Sequence, residues 1–137
     1  MDLYNSIKEN SRAGFIEVLI LELLSERTMY GYEIGQELSD RSKGVFIQKE
    51  GALYGPLYRM EARELICSFK QVDNDKYKKF YNITDKGREY LAFAKKEIFV
   101  VYDSVLSILK KGITDNDEAT QETSQSLHEE TEQLTEN

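Results

Sequence analysis

From Ser11 to Ser25 the apolar residues Phe15, Val18, Leu19 and Leu23, flanked by Ile16, Ile20 and Leu24, recur at the helical period. They form one wide face, and the pattern predicts a buried helix over residues 11–25. The N-terminal segment before it, around Leu3, Tyr4 and Ile7, is expected to pack against a second copy of the chain. "ERTMYGY" interrupts the period and "YEIGQELSDRSKG" resumes it with Ile34 and Leu38, with Gly44 placed to stop that helix. "VFIQKEG" reads as a connector whose Val45, Phe46 and Ile47 are apolar enough to pack.

The next segment, "EGALYGPLYRMEAREL", is helical with an inner stripe of Leu53, Leu57 and Met60. Its front carries Gly51 and the only proline, Pro56, and a start near Gly51 puts Pro56 in the first or second turn. Proline is tolerated there because the first N–H groups of a helix have no intrahelical acceptor. Tyr54 and Tyr58 lie four residues apart, on one side. The period then drops to two. "LICSFKQVD" and "YKKFYNI" flank the turn residues "DNDK" and predict a β-hairpin. Thr84 is placed to cap a last helix over residues 85–111, about 40 Å long at ~1.5 Å per residue. Along it Leu91, Ala94, Ile98, Val101, Val105 and Ile108 step by three and four, a heptad seam widened by Phe99, Tyr102, Leu106 and Leu109. Its first turns fit a core within the chain. The far half is too wide for a three-helix core to cover, and self-association is expected there.

This order gives the fold class: mainly α with a β-hairpin, a winged helix-turn-helix domain followed by a long C-terminal dimerisation helix. The expected domains are 1–83 (winged helix with an N-terminal helix), 84–112 (dimerisation helix) and 113–137 (acidic tail). The third helix of such a domain enters the major groove, and the hairpin reaches for the flanking backbone. Exposed hydroxyls of Tyr54 and Tyr58 at the helix front suit phosphates, although the Tyr58 ring could equally pack on neighbours and the Tyr54 ring less readily. Lys76, Lys78 and Lys79 crowd the hairpin tip, and Lys49, Arg59 and Arg63 lie near the third helix.

Charge first argues against nucleic acid, since the 137 residues carry a net −7. Eight of the 25 acidic residues, however, fall after Thr114, where no Lys or Arg occurs. The 17 that remain face 18 basic residues, so a basic face is compatible with residues 1–114. The tail is too polar to offset its ordering entropy and is expected to be disordered. His128, the only histidine, lies within it and makes no metal site. Cys67 is the single cysteine, so no internal disulfide forms. No signal-peptide pattern opens the chain, and apolar runs such as "IFVVY" are too short for a bilayer. A cytoplasmic protein without membrane association, cofactor or metal is expected. No Ser-His or Cys-His pair in the fold and no glycine-rich phosphate loop suggests an enzyme.

Three stretches, "VLILELLSERTMYGYEI", "GALYGPLYRMEARELI" and "KKFYNITDKGREYL", together resemble the PadR family of bacterial transcriptional regulators over residues 12–110. The resemblance implies homodimeric winged-helix repressors that bind operator DNA, many of them released by small aromatic or amphipathic compounds. It implies DNA contacts for Tyr32 and Tyr54 and a basic wing strand at Lys78 and Lys79, and Gly87 matches the family's glycine near the start of the last helix. Tyr30 stands where the family commonly has histidine, and Lys76 and Tyr77 where glycine and arginine are frequent. The expected DNA-binding set is Tyr32, Lys49, Tyr54, Tyr58, Arg59, Lys76, Lys78 and Lys79. Leu91, Ala94, Ile98, Val101, Tyr102, Val105 and Ile108 are expected to form the dimer interface. An inducer pocket is expected between Phe15, Val18 and Leu19 and Ile98, Phe99 and Tyr102. The competing function is a protein-interaction module that kept the fold and lost DNA affinity.

Overall fold

The computed structural model describes residues 2–49 and 51–110. The expected acidic tail, 113–137, and His128 lie outside the described residues. The chain divides into a first compact unit, Met1–Ala94, and a second that begins at Lys95.

Five helices and three strands follow in the order α1 (Leu3–Ala13), α2 (Ile16–Glu26), β1 (Met29–Tyr30), α3 (Gly31–Arg41), α4 (Tyr54–Ala62), β2 (Ile66–Asp73), β3 (Lys76–Ile83) and α5 (Asp85–Lys110). The antiparallel sheet runs β1-β3-β2. The helix expected over 11–25 is instead two, because the chain breaks at Gly14 and Phe15. Glycine is about 1 kcal/mol poorer than alanine inside a helix, which favours the break there. α1, capped by the Asp2 carboxylate, buries none of its residues, whereas α2 buries Ile16, Ile20, Leu21, Leu23 and Leu24.

α3 and α4 end alike. After Arg41, Gly44 N–H donates to Ser39 O and Lys43 N–H to Asp40 O; after Ala62, Leu65 N–H donates to Met60 O and Glu64 N–H to Glu61 O. These paired bonds satisfy the last carbonyls of each helix. Lys43 and Glu64 take the first left-handed position after each helix, with φ of 54° and 64°, and Gly44, which follows Lys43, is left-handed too at 82°. In the connector Phe46 alone packs on the core, while Val45 and Ile47 are exposed. The expected packing of all three is therefore corrected.

The hairpin pairs Ile66 with Ile83 through to Asp73 with Lys76. Its two turn residues, Asn74 and Asp75, both take positive φ. Asn and Asp tolerate that geometry, whose twist suits a two-residue hairpin. Thr84 caps α5 as expected: its Oγ accepts from Gly87 N–H at 3.0 Å. The same hydroxyl donates to Glu64 O at 2.6 Å, and Thr84 N–H donates to Leu65 O. So α5 starts against the end of α4, and Gly87 is the contact point. A Cβ there would lie 2.0 Å from Leu65 O, which only glycine avoids.

The core of the first unit gathers Ile20, Leu21, Leu24, Met29, Ile34, Leu57, Met60, Ile66 and Leu91 between α2, α3, α4, the sheet and the first turns of α5. It fixes which side of α4 turns outward.

Candidate nucleic-acid interface

α4 begins at Tyr54, three residues later than expected, after a turn entered at Gly51 with φ 82°. Pro56 is therefore in the first turn, where its missing N–H costs nothing. Leu53, Leu57 and Met60 point inward. That orientation leaves Tyr54 68% and Tyr58 75% exposed, so neither ring is consumed by packing.

Tyr32, in the first turn of α3, is also exposed. Tyr32, Gln36 and Ser39 of α3, Gln48 and Lys49 of the connector, and Tyr54 of α4 line one open cleft of about 630 Å³. Three of the eight expected DNA-binding residues (Tyr32, Lys49 and Tyr54) thus meet around one concavity, with Tyr58 one turn further along α4. Phenolic hydroxyls, amides and an ammonium are the groups that bind phosphate oxygens.

Arg59 is placed differently. Its Nε donates to Glu17 Oε1 at 3.0 Å, and Arg63 Nη1 lies 3.6 Å from Glu17 Oε2. One carboxylate of α2 thereby straps α4 by two arginines. Arg59 borders a second cleft, about 1030 Å³, with Lys8 and Arg12 of α1, Glu17, Lys49 and Tyr90. Such exposed pairs stabilise little, about 0–1 kcal/mol, but they orient the guanidinium groups.

The wing cations are partnered as well. Lys79 Nζ is 3.7 Å from Glu61 of α4 and 5.6 Å from the centre of the Tyr81 ring. Glu61 also accepts from Ser68 Oγ at 2.5 Å. Burial pushes the Tyr81 phenol above its usual range. Lys78 Nζ donates to Asp73 at 2.9 Å and lies 4.4 Å from the centre of the Tyr30 ring. The hydrogen bond to the Asp73 carboxylate is the main reason the Lys78 ammonium titrates above the ordinary lysine range. It stays charged at any physiological pH. Lys76 is exposed beside the turn.

The partners Glu17, Glu61, Asp73 and Tyr30 were not read from the sequence. Asp73 was findable: in the register set by a two-residue turn, Asp73 faces Lys76 and is the diagonal neighbour of Lys78. Glu17 and Glu61 carry no such local signal, since their partners lie on other elements.

Of the residues expected to hold a dimer, Leu91 and Ala94 are buried and Ile98 half-buried, while Val101, Tyr102, Val105 and Ile108 are exposed. Of those expected around an inducer, Phe15, Val18 and Leu19 are half-buried on the first unit. On the second, Ile98 and Phe99 are half-buried and Tyr102 is 40% exposed. Among the described residues no group of three or more His, Cys, Asp or Glu could hold a metal, and no helix is long and apolar enough to cross a membrane.

Residues 20–93, more than half the chain, match the transcriptional regulator PadR-like family. The chain belongs to that family. A PadR-family transcription regulator from hypervirulent Clostridium difficile is similar in structure, with a TM-score of 0.62 and 32% identity over 69% of this chain and 98% of that one. A PadR-family regulator from Eggerthella lenta aligns with a TM-score of 0.70 and 28% identity, over 80% of this chain and 94% of the other. An uncharacterized protein of Lysinibacillus sphaericus is 39% identical over 85 residues, 61% of this chain and 78% of that protein. The PadR match accounts for the helix-turn-helix, the wing and the start of α5, all of which fall in the residues described above. PadR proteins are DNA-binding transcriptional regulators with this winged-helix fold.

Proposed function

We propose that this PadR-like protein is a homodimeric, sequence-specific repressor of the cytoplasm, without catalytic activity, that binds operator DNA through α4 and the wing. One observation carries the reading. Tyr32, Lys49 and Tyr54, from three segments, line a single cleft at the front of α4, and Tyr58 extends that surface. Residues 1–83 supply the DNA contacts, with Lys76, Lys78 and Lys79 on the wing and Arg59 on the flank of α4. Residues 84–112 supply self-association through Val101, Tyr102, Val105 and Ile108, whose apolar side chains are exposed. Exposed apolar patches of this kind mark interaction sites. A small aromatic or amphipathic compound would act by favouring a dimer whose α4 helices mismatch the ~34 Å repeat of DNA.

The test is binding to DNA from upstream of the protein's own gene, against a scrambled duplex, with salt varied. The expected result is tighter binding to the first, with log affinity falling linearly in log salt by about 0.9 for each phosphate neutralised. An absence of binding to either duplex at ~50 mM salt would instead favour the interaction module. That second reading draws on the ion pairs that already engage Arg59, Lys78 and Lys79 within the chain.

A further inference from the structure

Tyr30 stands where three elements meet. It ends β1, occupies the N-cap position of α3 and pairs with Phe80 of β3. β1 contributes only two register pairs to the sheet, Met29 with Tyr81 and Tyr30 with Phe80. The Thr28 hydroxyl adds a hydrogen bond to Asn82 beside them. Met29 is fully buried, so strand alternation turns Tyr30 to the opposite face of the sheet.

On that face the rings form a row. Tyr32 stacks on Tyr30 with centroids 6.3 Å apart, Tyr30 meets Phe80 edge-on at 5.4 Å, and Phe80 stacks on Phe69 at 5.8 Å. Lys78 Nζ lies 4.4 Å from the centre of the Tyr30 ring, and Asp73 holds the same ammonium at 2.9 Å. One ring therefore touches the front of α3, the strand of the wing and a cation of the wing.

We propose that Tyr30 is a positioning residue for DNA binding: its ring fixes the separation between Tyr32 on α3 and Lys78 on the wing. The proposal rests on the DNA-binding reading above. Phosphates on a duplex recur at a fixed spacing, so contacts from two elements add only when the elements keep a fixed separation. The two-pair ladder of β1 is short for that purpose, and the ring row braces it on the face that Met29 does not fill. Tyr30 acts through Tyr32 and Lys78 and makes no contact of its own with DNA.

The experiment measures binding to the upstream duplex over about 50–200 mM salt, together with the thermal midpoint of each variant. Tyr30→Phe keeps the ring and should keep the wild-type salt slope. Tyr30→Leu should lower the slope by about 0.9, the share of one phosphate contact, because Lys78 is no longer aimed. Lys78→Gln should do the same, and the double variant should lose no more than either single one. A merely structural role would lower the thermal midpoint and leave the slope of the folded protein unchanged, and that outcome overturns the proposal. So does a double variant that loses about 1.8. If Tyr30→Leu does not fold, Phe80→Leu removes the edge-on partner while leaving Tyr30 in place; the same loss is expected, and an unchanged slope overturns the idea. Failure of the wild type to bind DNA would sink the DNA-binding reading itself, a result distinct from any of these.

Discussion

α2 and the far part of α5 carry the same kind of apolar pattern and meet different fates. α2 buries Ile16, Ile20, Leu21, Leu23 and Leu24. α5 buries Leu91 and Ala94, then exposes Val100, Val101, Val105, Ile108 and Leu109 at between 45% and 75%. Helical periodicity says that a stripe will be covered. It does not say by what. For α2 the cover is the rest of its own unit; for α5 beyond Ala94 the proposed cover is a second copy. α1 poses the same question, with Leu3, Tyr4 and Ile7 at 83%, 77% and 63% exposed.

The sharpest way to break the comparison is to charge the exposed stripe. Val101→Asp with Val105→Asp leaves a folded monomer fully hydrated. In a dimer it would bury carboxylates without partners, each at a cost of several kcal/mol. Light scattering should then report monomers, with the far-UV spectrum of the first unit intact. A persisting dimer would place the interface elsewhere on the chain.

The complementary change is on α2. Ile20 is fully buried, and Ile20→Ala removes its packing and leaves a cavity in the core. A loss of about 2–5 kcal/mol in unfolding free energy is expected. It should appear in denaturant unfolding as a shift of similar size at every protein concentration, as befits a core within one chain. A shift that shrinks as concentration rises would mean that α2 is also part of the interface.

How far each feature could be read from the sequence follows how local its cause is. The hairpin was legible because Asn74 and Asp75 sit between two alternating runs, and the α5 cap because Thr84 directly precedes the helix. The stripe Leu53, Leu57 and Met60 was legible by period, and it in turn exposed Tyr54 and Tyr58. β1 was not, since two residues cannot display alternation. The split at Gly14 was hidden because the apolar period of α2 runs back through Phe15 without a polar stop. In the sequence the wing cations are simply lysines near a hairpin tip. That Lys78 is held by Asp73 and Tyr30 depends on register and on an element nearly fifty residues earlier.

The smallest expected effect tests an exposed ring at the front of the candidate interface. Tyr54 lines the front cleft with Tyr32 and Lys49, and its ring is 68% exposed, so removing the hydroxyl disturbs no packing. Tyr54→Phe should leave the unfolding midpoint where it is. If the hydroxyl donates to a phosphate oxygen, the variant loses about 1 kcal/mol of binding, roughly fivefold in affinity. A tyrosine hydroxyl neutralises no charge, so the salt slope should stay at its wild-type value, unlike the loss expected when Lys78 is removed. The loss should also be the same on upstream and scrambled duplexes, because phosphate contacts carry no base information. A loss confined to the upstream duplex would instead make Tyr54 a reader of base edges. No loss on either would return the ring to a surface role and leave Lys49 and Tyr32 as the working groups of the cleft.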